Sequence, residues 1–148
     1  MNIKDLKGLY QNYRQLNKYR RRFIKDDFSF ICDIFLKDIY KFNSMVPLDS
    51  SKSEGFLIKF NLNNKVIQRI KETPEFITFN FLIVILHLID SKYLTEAYDS
   101  LQFLLDYLKV NDIHTLSYLR SKSYYYLCLV AEKLNKYNLI LEYILYII

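Results

Sequence analysis

Residues that interrupt regular structure are scarce in this sequence, which has two glycines and two prolines among 148 residues. An all-β sandwich needs many short strands joined by turns that draw on both residue types. This scarcity argues against that class and favours long helices. Hydrophobic residues make up 51% of the chain and charged residues 25%, which is the balance of a folded domain with its own core.

Cysteine is also scarce, with Cys32 and Cys128 far apart and both in apolar surroundings. Neither belongs to a CxxC pair or to a Cys/His spacing that would suit a metal ion. We therefore interpret both as small buried hydrophobic residues and expect no metal site.

No hydrophobic run is long enough to cross a membrane. The most apolar stretch, Phe76 to Ile89, includes Asn80 and His87 and is shorter than the roughly 20 apolar residues of a transmembrane helix. It predicts a buried helix and no membrane partner. The start, MNIKDLKGLY, lacks the apolar segment of a signal peptide, so we expect an intracellular protein.

Catalytic and cofactor motifs are missing as well: there is no glycine-rich phosphate loop, HExxH or GxSxG. We interpret His87 as a core histidine and His114 as a surface residue at a helix start. The adjacent Asp26 and Asp27 follow Lys25 and are interpreted as solvated charge. The sequence therefore predicts no enzyme, no cofactor and no small-molecule substrate.

The spacing of apolar residues predicts helices along most of the chain. Residues 1–43 form basic amphipathic helices with a break expected near Asp26–Asp27. Residues 44–56 hold a proline, a glycine and a serine cluster and are the predicted linker. Residues 57–148 form the helical region, although 57–71 fits either a strand or a short helix.

Two helical hairpins are predicted in the C-terminal half. The first helix begins with Thr73 as N-cap and Pro74 at its first position. Helices are expected at 75–89, 94–108 and 113–134, and from residue 138 onwards. Lys–Tyr pairs at both turns, Lys92–Tyr93 and Lys136–Tyr137, lie 44 residues apart, a spacing typical of helical repeats. We therefore predict an all-α fold of helical hairpins stacked as a TPR- or PCI-like right-handed α-solenoid.

Three consecutive tyrosines, Tyr124, Tyr125 and Tyr126, occupy the second predicted hairpin. Neighbouring residues of a helix point about 100° apart, so these side chains sweep some 200° of the surface. They cannot all face one ligand cleft. We expect them to pack a helix that is covered on two sides.

The net charge of +5 is concentrated in the first half of the chain, where residues 1–80 carry 15 Lys and Arg against 9 Asp and Glu. The densest basic stretch is KYRRRFIK, residues 18–25. Arg20, Arg21 and Arg22 are the candidate contacts with an acidic partner surface. Phosphate contact with nucleic acid is the less favoured alternative, because Tyr19 and Phe23 fit the core face of a helix and leave no stacking platform.

One known family shares two segments of this pattern. The segment LRSKSYYYLCLVAEKLNKYNLILEYI (119–144) resembles the region around the Lys-x-Tyr-Tyr-Tyr motif of the family of 26S proteasome non-ATPase regulatory subunit 3, with the motif here at Lys122, Tyr124, Tyr125 and Tyr126. Residues 73–108 are similar to the same family's helix, Ser-Lys-x-Tyr turn and second helix. Residues 17–36 are similar more loosely, through Arg21–Arg22 before an apolar helix.

The resemblance implies a PCI-type subunit of the proteasome regulatory lid. Such a subunit is a scaffold without a catalytic site, found in the cytoplasm and nucleus, whose partners are the other lid subunits and whose process is ubiquitin-dependent degradation. The sequence ends at Ile148, so we expect the helical-repeat part without the family's winged-helix module. Two alternatives stay open: a scaffold of another PCI complex (signalosome or translation initiation), and a basic helical protein that binds nucleic acid.

Overall fold

A computed structural model describes residues 11, 13–22, 25–40, 57–58 and 62–136 of the chain. Regular structure within them is helical throughout, as predicted, and comprises α1 (Leu16–Arg22), α2 (Lys25–Ile31), α3 (Asn64–Lys71), α4 (Pro74–Asp90), α5 (Leu94–Val110) and α6 (Ser117–Lys133). A π-helical turn, Cys32–Leu36, continues α2, and a 3-10 turn, His114–Leu116, leads into α6.

Helix α4 is the centre of the fold. Eleven of its seventeen residues are buried, on every side of the helix. A helix that is apolar all round must be covered all round. Each of the other five helices packs against it, and α5 also packs along α6.

The start of α4 follows the predicted signals. Thr73 is the N-cap and Pro74 the first helical residue. The Thr73 hydroxyl does not cap α4, however, but donates to the carbonyl oxygen of Arg69 at 2.9 Å, at the end of α3. Residues 64–71 are helical and not a strand, because the Asn63 side chain accepts a hydrogen bond from the backbone N–H of Val66 at 3.0 Å and so caps α3.

The connection from α5 to α6 is held by hydrogen bonds to side chains of α4 and α6. Arg120 of α6 donates to Asp112 Oδ1 at 2.8 Å and to the carbonyl oxygen of Leu108 at 3.4 Å. The Thr115 hydroxyl donates to Glu75 Oε1 at 2.7 Å. These bonds fix the start of α6 against the start of α4.

The turns that end α4 and α6 have the same backbone geometry. Tyr93 N–H donates to the carbonyl oxygen of Leu88, and Lys136 N–H donates to that of Ala131, each at 2.9 Å. These are the six-residue hydrogen bonds of the Schellman motif, which needs a left-handed residue just before the donor.

Lys92 and Asn135 supply that left-handed residue, with φ of 69° and 58°. The two turns are therefore equivalent at a spacing of 43 residues. This is one residue fewer than the spacing of the Lys–Tyr pairs, because Lys92 aligns with Asn135 and not with Lys136.

The basic N-terminal stretch contains two helices. One is described to Arg22, and the other begins at Lys25 and includes Asp26 and Asp27, near which a break was predicted. The predicted linker, residues 44–56, and the predicted last helix lie outside the described residues, as do residues 1–10 and 12.

Both cysteines behave as apolar residues, to different extents. Cys32 is 3% exposed, and burial raises the pKa of its thiol to about 12. Cys128 is only half-buried on α6, and burial raises the pKa of its thiol as well. Neither thiol is therefore activated as a nucleophile.

The left-handed turn residue predicts a stabilising substitution. A side chain with a Cβ atom costs about 1 kcal/mol or more at positive φ, and glycine does not. Lys92→Gly should therefore raise the free energy of unfolding by about 0.5–1 kcal/mol, measured by urea denaturation. Lys65→Gly, the same substitution at an exposed helical position, should lower it by up to ~1 kcal/mol. Equal destabilisation by both variants would contradict the turn geometry.

Candidate partner interface

The N-terminal helix lies along a groove between α4 and α6. One turn before α1, the Tyr13 ring stacks on Phe79 of α4 and on Tyr118 of α6, with centroid distances of 6.1 Å in both cases. Tyr13 and Leu16 are 1% and 3% exposed. Both side chains are therefore covered, and the Tyr13 ring lies against the two hairpin helices.

Arg20 fastens the other end of the same helix. Its Nε donates to Asp90 Oδ2 at 2.8 Å, and its Nη2 donates to Asp90 Oδ1 at 2.5 Å. This two-bond fork is the geometry in which arginine holds a carboxylate most firmly. The hydrogen bond with Asp90 raises the pKa of Arg20 above its ordinary value. Because Asp90 is the last residue of α4, the cation also lies at the negative end of that helix.

The same guanidinium lies over an aromatic ring of α6. The Arg20 carbon Cζ is 5.9 Å from the centroid of the Tyr126 ring, within the range of a cation–π contact. Burial raises the pKa of the Tyr126 hydroxyl, and the nearby Arg20 cation partly offsets that rise. The basic stretch and the tyrosine motif, which lie about a hundred residues apart in sequence, therefore meet at this contact.

The three consecutive tyrosines have three different environments. Tyr126 is 4% exposed and lies in the core, Tyr124 is half-buried, and Tyr125 is 59% exposed. The predicted spread around the helix is confirmed, and so is the packing role of Tyr126. Internal packing was the wrong expectation for Tyr125, because more than half of its side chain is exposed and its ring meets the edge of the neighbouring Tyr126 ring on the same helix.

Lys122, the first residue of the family motif, lies beside two tyrosines of its own helix. Its Nζ is 5.7 Å from the ring centroid of Tyr118 and 5.9 Å from that of Tyr125. Tyr118 lies four residues before Lys122 and Tyr125 lies three residues after it, so all three side chains share one face of α6. Since Tyr118 also stacks on Tyr13, the motif lysine lies along the edge of the groove that holds the N-terminal helix.

The predicted contact residues Arg20, Arg21 and Arg22 are divided by the fold. Arg20 is bound to Asp90 within the chain, whereas Arg21 and Arg22 are exposed. Arg14 and Lys18 are exposed as well. We call the four exposed cations Arg14, Lys18, Arg21 and Arg22 the basic face. This face is open to a partner, and Arg20 serves to hold the helix that carries it.

His114 occupies the predicted kind of position, whereas His87, interpreted as a core histidine, is not fully buried. His87 is half-buried in α4 and stacks on Phe28, with ring centroids 4.0 Å apart. His114 is exposed at the 3-10 turn. Across the described ranges, no group of three or more His, Cys, Asp or Glu residues is arranged to hold a metal ion.

No single helix in the described part of the chain has the length and apolar character to cross a membrane. The pair α3 and α4 meets those criteria only when taken together, and the two helices are bent by 84° at their junction.

A family model described as PSMD3-like, N-terminal TPR repeats, matches residues 4–147. The chain belongs to this family. Comparisons with curated proteins and with solved structures gave no match. The match covers all six described helices, so the stacked hairpins of this PSMD3-like chain are an α-solenoid of TPR repeats. The resemblance read from the two tyrosine-bearing segments is thereby confirmed: the chain is the N-terminal region of a PSMD3-like proteasome subunit.

The Arg20–Asp90 contact of the PSMD3-like chain predicts a measurable coupling. Arg20→Gln and Asp90→Asn should each lower the free energy of unfolding, and the double variant should lose less than the sum of the two. We expect a coupling of about 0.5–1 kcal/mol by urea denaturation, since both side chains are partly exposed.

Arg21→Gln is the matched control for this cycle. Arg21 is the exposed neighbour of Arg20, so its replacement should change the free energy of unfolding by less than ~0.5 kcal/mol. A coupling near zero, or an equal loss in Arg21→Gln, would show that the fork with Asp90 does not hold α1.

Proposed function

We propose that this chain is part of a non-catalytic scaffold subunit in the lid of the 26S proteasome regulatory particle, where it supports ubiquitin-dependent protein degradation. The observation that carries the proposal is the match to PSMD3-like N-terminal TPR repeats over residues 4–147. A stacked-hairpin fold around a largely buried α4 is consistent with a rigid arm whose contribution is shape and contact area. Its place of action would be the cytoplasm and the nucleus.

The partners in this proposal are other lid subunits, and the basic face is one of the surfaces that they would contact. Four exposed cations on α1 and the turn before it complement an acidic neighbour. Such exposed charges speed association and select partners more than they add affinity. Arg21 and Arg22 would therefore affect which neighbour is chosen and how its binding depends on salt.

A second exposed surface is apolar and lies where α5 meets α6. Val110 is 85% exposed and Ile113 is 38% exposed. Apolar side chains held at a fixed connection suit the core of a protein–protein contact. This end of the hairpin would bury area against a neighbouring subunit, while the basic face steers the encounter.

Affinity purification of the tagged native protein, followed by mass spectrometry and nucleic-acid staining, tests the proposal. We expect lid subunits among the recovered chains. Charge reversal by Arg21→Glu with Arg22→Glu should reduce their recovery severalfold, because the basic face would repel acidic neighbours. The control is Lys65→Glu with Arg69→Glu, which reverses two exposed cations on α3 and should leave recovery unchanged.

Other recovered partners would overturn the proposal in specific ways. Signalosome or translation-initiation subunits in place of lid subunits would assign the chain to another PCI complex. Recovery of RNA or DNA, lost at high salt and in the Arg21→Glu with Arg22→Glu variant, would instead assign the basic face to nucleic acid.

A further inference from the structure

The N-terminal helix has the features of a ligand that the chain carries itself. Helix α1 has seven residues, and isolated helices shorter than about 12 residues are marginal in water. Its helical conformation therefore depends on the groove. Three side chains make the described inward contacts: Tyr13, Leu16 and Arg20, spaced at i, i+3 and i+7 along one face.

The groove, in contrast to α1, is formed by helices that are held by other contacts. Its walls, α4 and α6, are helices of seventeen residues each, and both pack against α5. Phe79 and Tyr118 meet the aromatic anchor at one end, and Asp90 and Tyr126 meet the arginine at the other. The packing of α4 and α6 against α5 does not involve α1. The groove should therefore keep its shape when α1 leaves.

The difference in the number of contacts between α1 and α4 favours local detachment of α1 from the groove. Among the side chains that the structure describes, three anchor the N-terminal segment, whereas eleven buried residues hold α4. Segments with few buried contacts open at lower free energy than the core does. The groove would thus be emptied in a fraction of molecules that are otherwise folded.

We propose that the groove between α4 and α6 is a helix-docking site, filled in this structure by the chain's own α1, that also binds a partner helix carrying an aromatic residue, a leucine and an arginine at i, i+3 and i+7. Recognition is of the helix-in-groove kind, with Asp90 selecting the arginine. The tethered α1 competes at high effective concentration, so a partner binds well only when α1 is weakened or bound elsewhere. This site is independent of the assignment to the proteasome lid.

A labelled synthetic peptide with the sequence of residues 11–22, QNYRQLNKYRRR, is the probe, and fluorescence anisotropy is the readout. The full chain with Tyr13→Ala and Arg20→Ala should bind the peptide at least tenfold more tightly than the unmodified chain does. A peptide with alanine at its Tyr13 and Arg20 positions should bind that variant at least tenfold more weakly. The matched control is the chain with Arg14→Ala and Arg21→Ala, which alters only the outer face and should gain no peptide binding.

A charge exchange tests the selecting residue without removing any buried side chain. The full chain with Asp90→Arg should prefer a peptide carrying aspartate at the Arg20 position over the original peptide, reversing the preference of the first variant. If circular dichroism shows that the Tyr13→Ala and Arg20→Ala chain is unfolded, the Asp90→Arg experiment alone tests the proposed docking site. Equal binding of all peptides, tight binding to the unmodified chain, or no binding to any folded variant would overturn the proposal.

Discussion

The need to cover helix α4 on every side organises the whole molecule. A helix with eleven buried residues out of seventeen has no face that can be left to water. Among the described helices five supply the cover, and α6 reaches α4 while packing mainly along α5. Helix α5 returns along it, α6 follows through a connection fixed by Arg120 and Thr115, and α1 closes the remaining groove.

The same requirement brings together two features that are remote in sequence. Covering α4 places the basic N-terminal helix next to the tyrosine motif of α6, with Arg20 between Asp90 and Tyr126. The family motif thus has a local physical role: its Tyr126 lines the groove together with Tyr118, and its Lys122 lies at the edge of the groove. In the proposed function, the outward cations that result are what a neighbouring lid subunit would meet.

Much of this could be predicted from local patterns, and the rest could not for identifiable reasons. Apolar spacing predicted α4, α5 and α6 and their turns, because the residues that form one face of a helix lie within a short segment of the sequence. Three adjacent arginines look alike in that window. Only Asp90, 70 residues away, determines that Arg20 turns inward while Arg21 and Arg22 turn out. The repeat spacing shifted from 44 to 43 because the backbone conformation at Lys92 and Asn135, and not the Lys–Tyr identity, defines equivalent positions.

Native-state hydrogen exchange tests the central role of α4 most directly. The account predicts that amides of residues 77–89 exchange most slowly, only through global unfolding, and that amides of residues 16–22 exchange through a local opening of lower free energy. The two free energies should converge when denaturant brings global unfolding down to the local value. Protection of α1 equal to that of α4, or exchange from α4 ahead of α5 and α6, would contradict a fold built around the central helix.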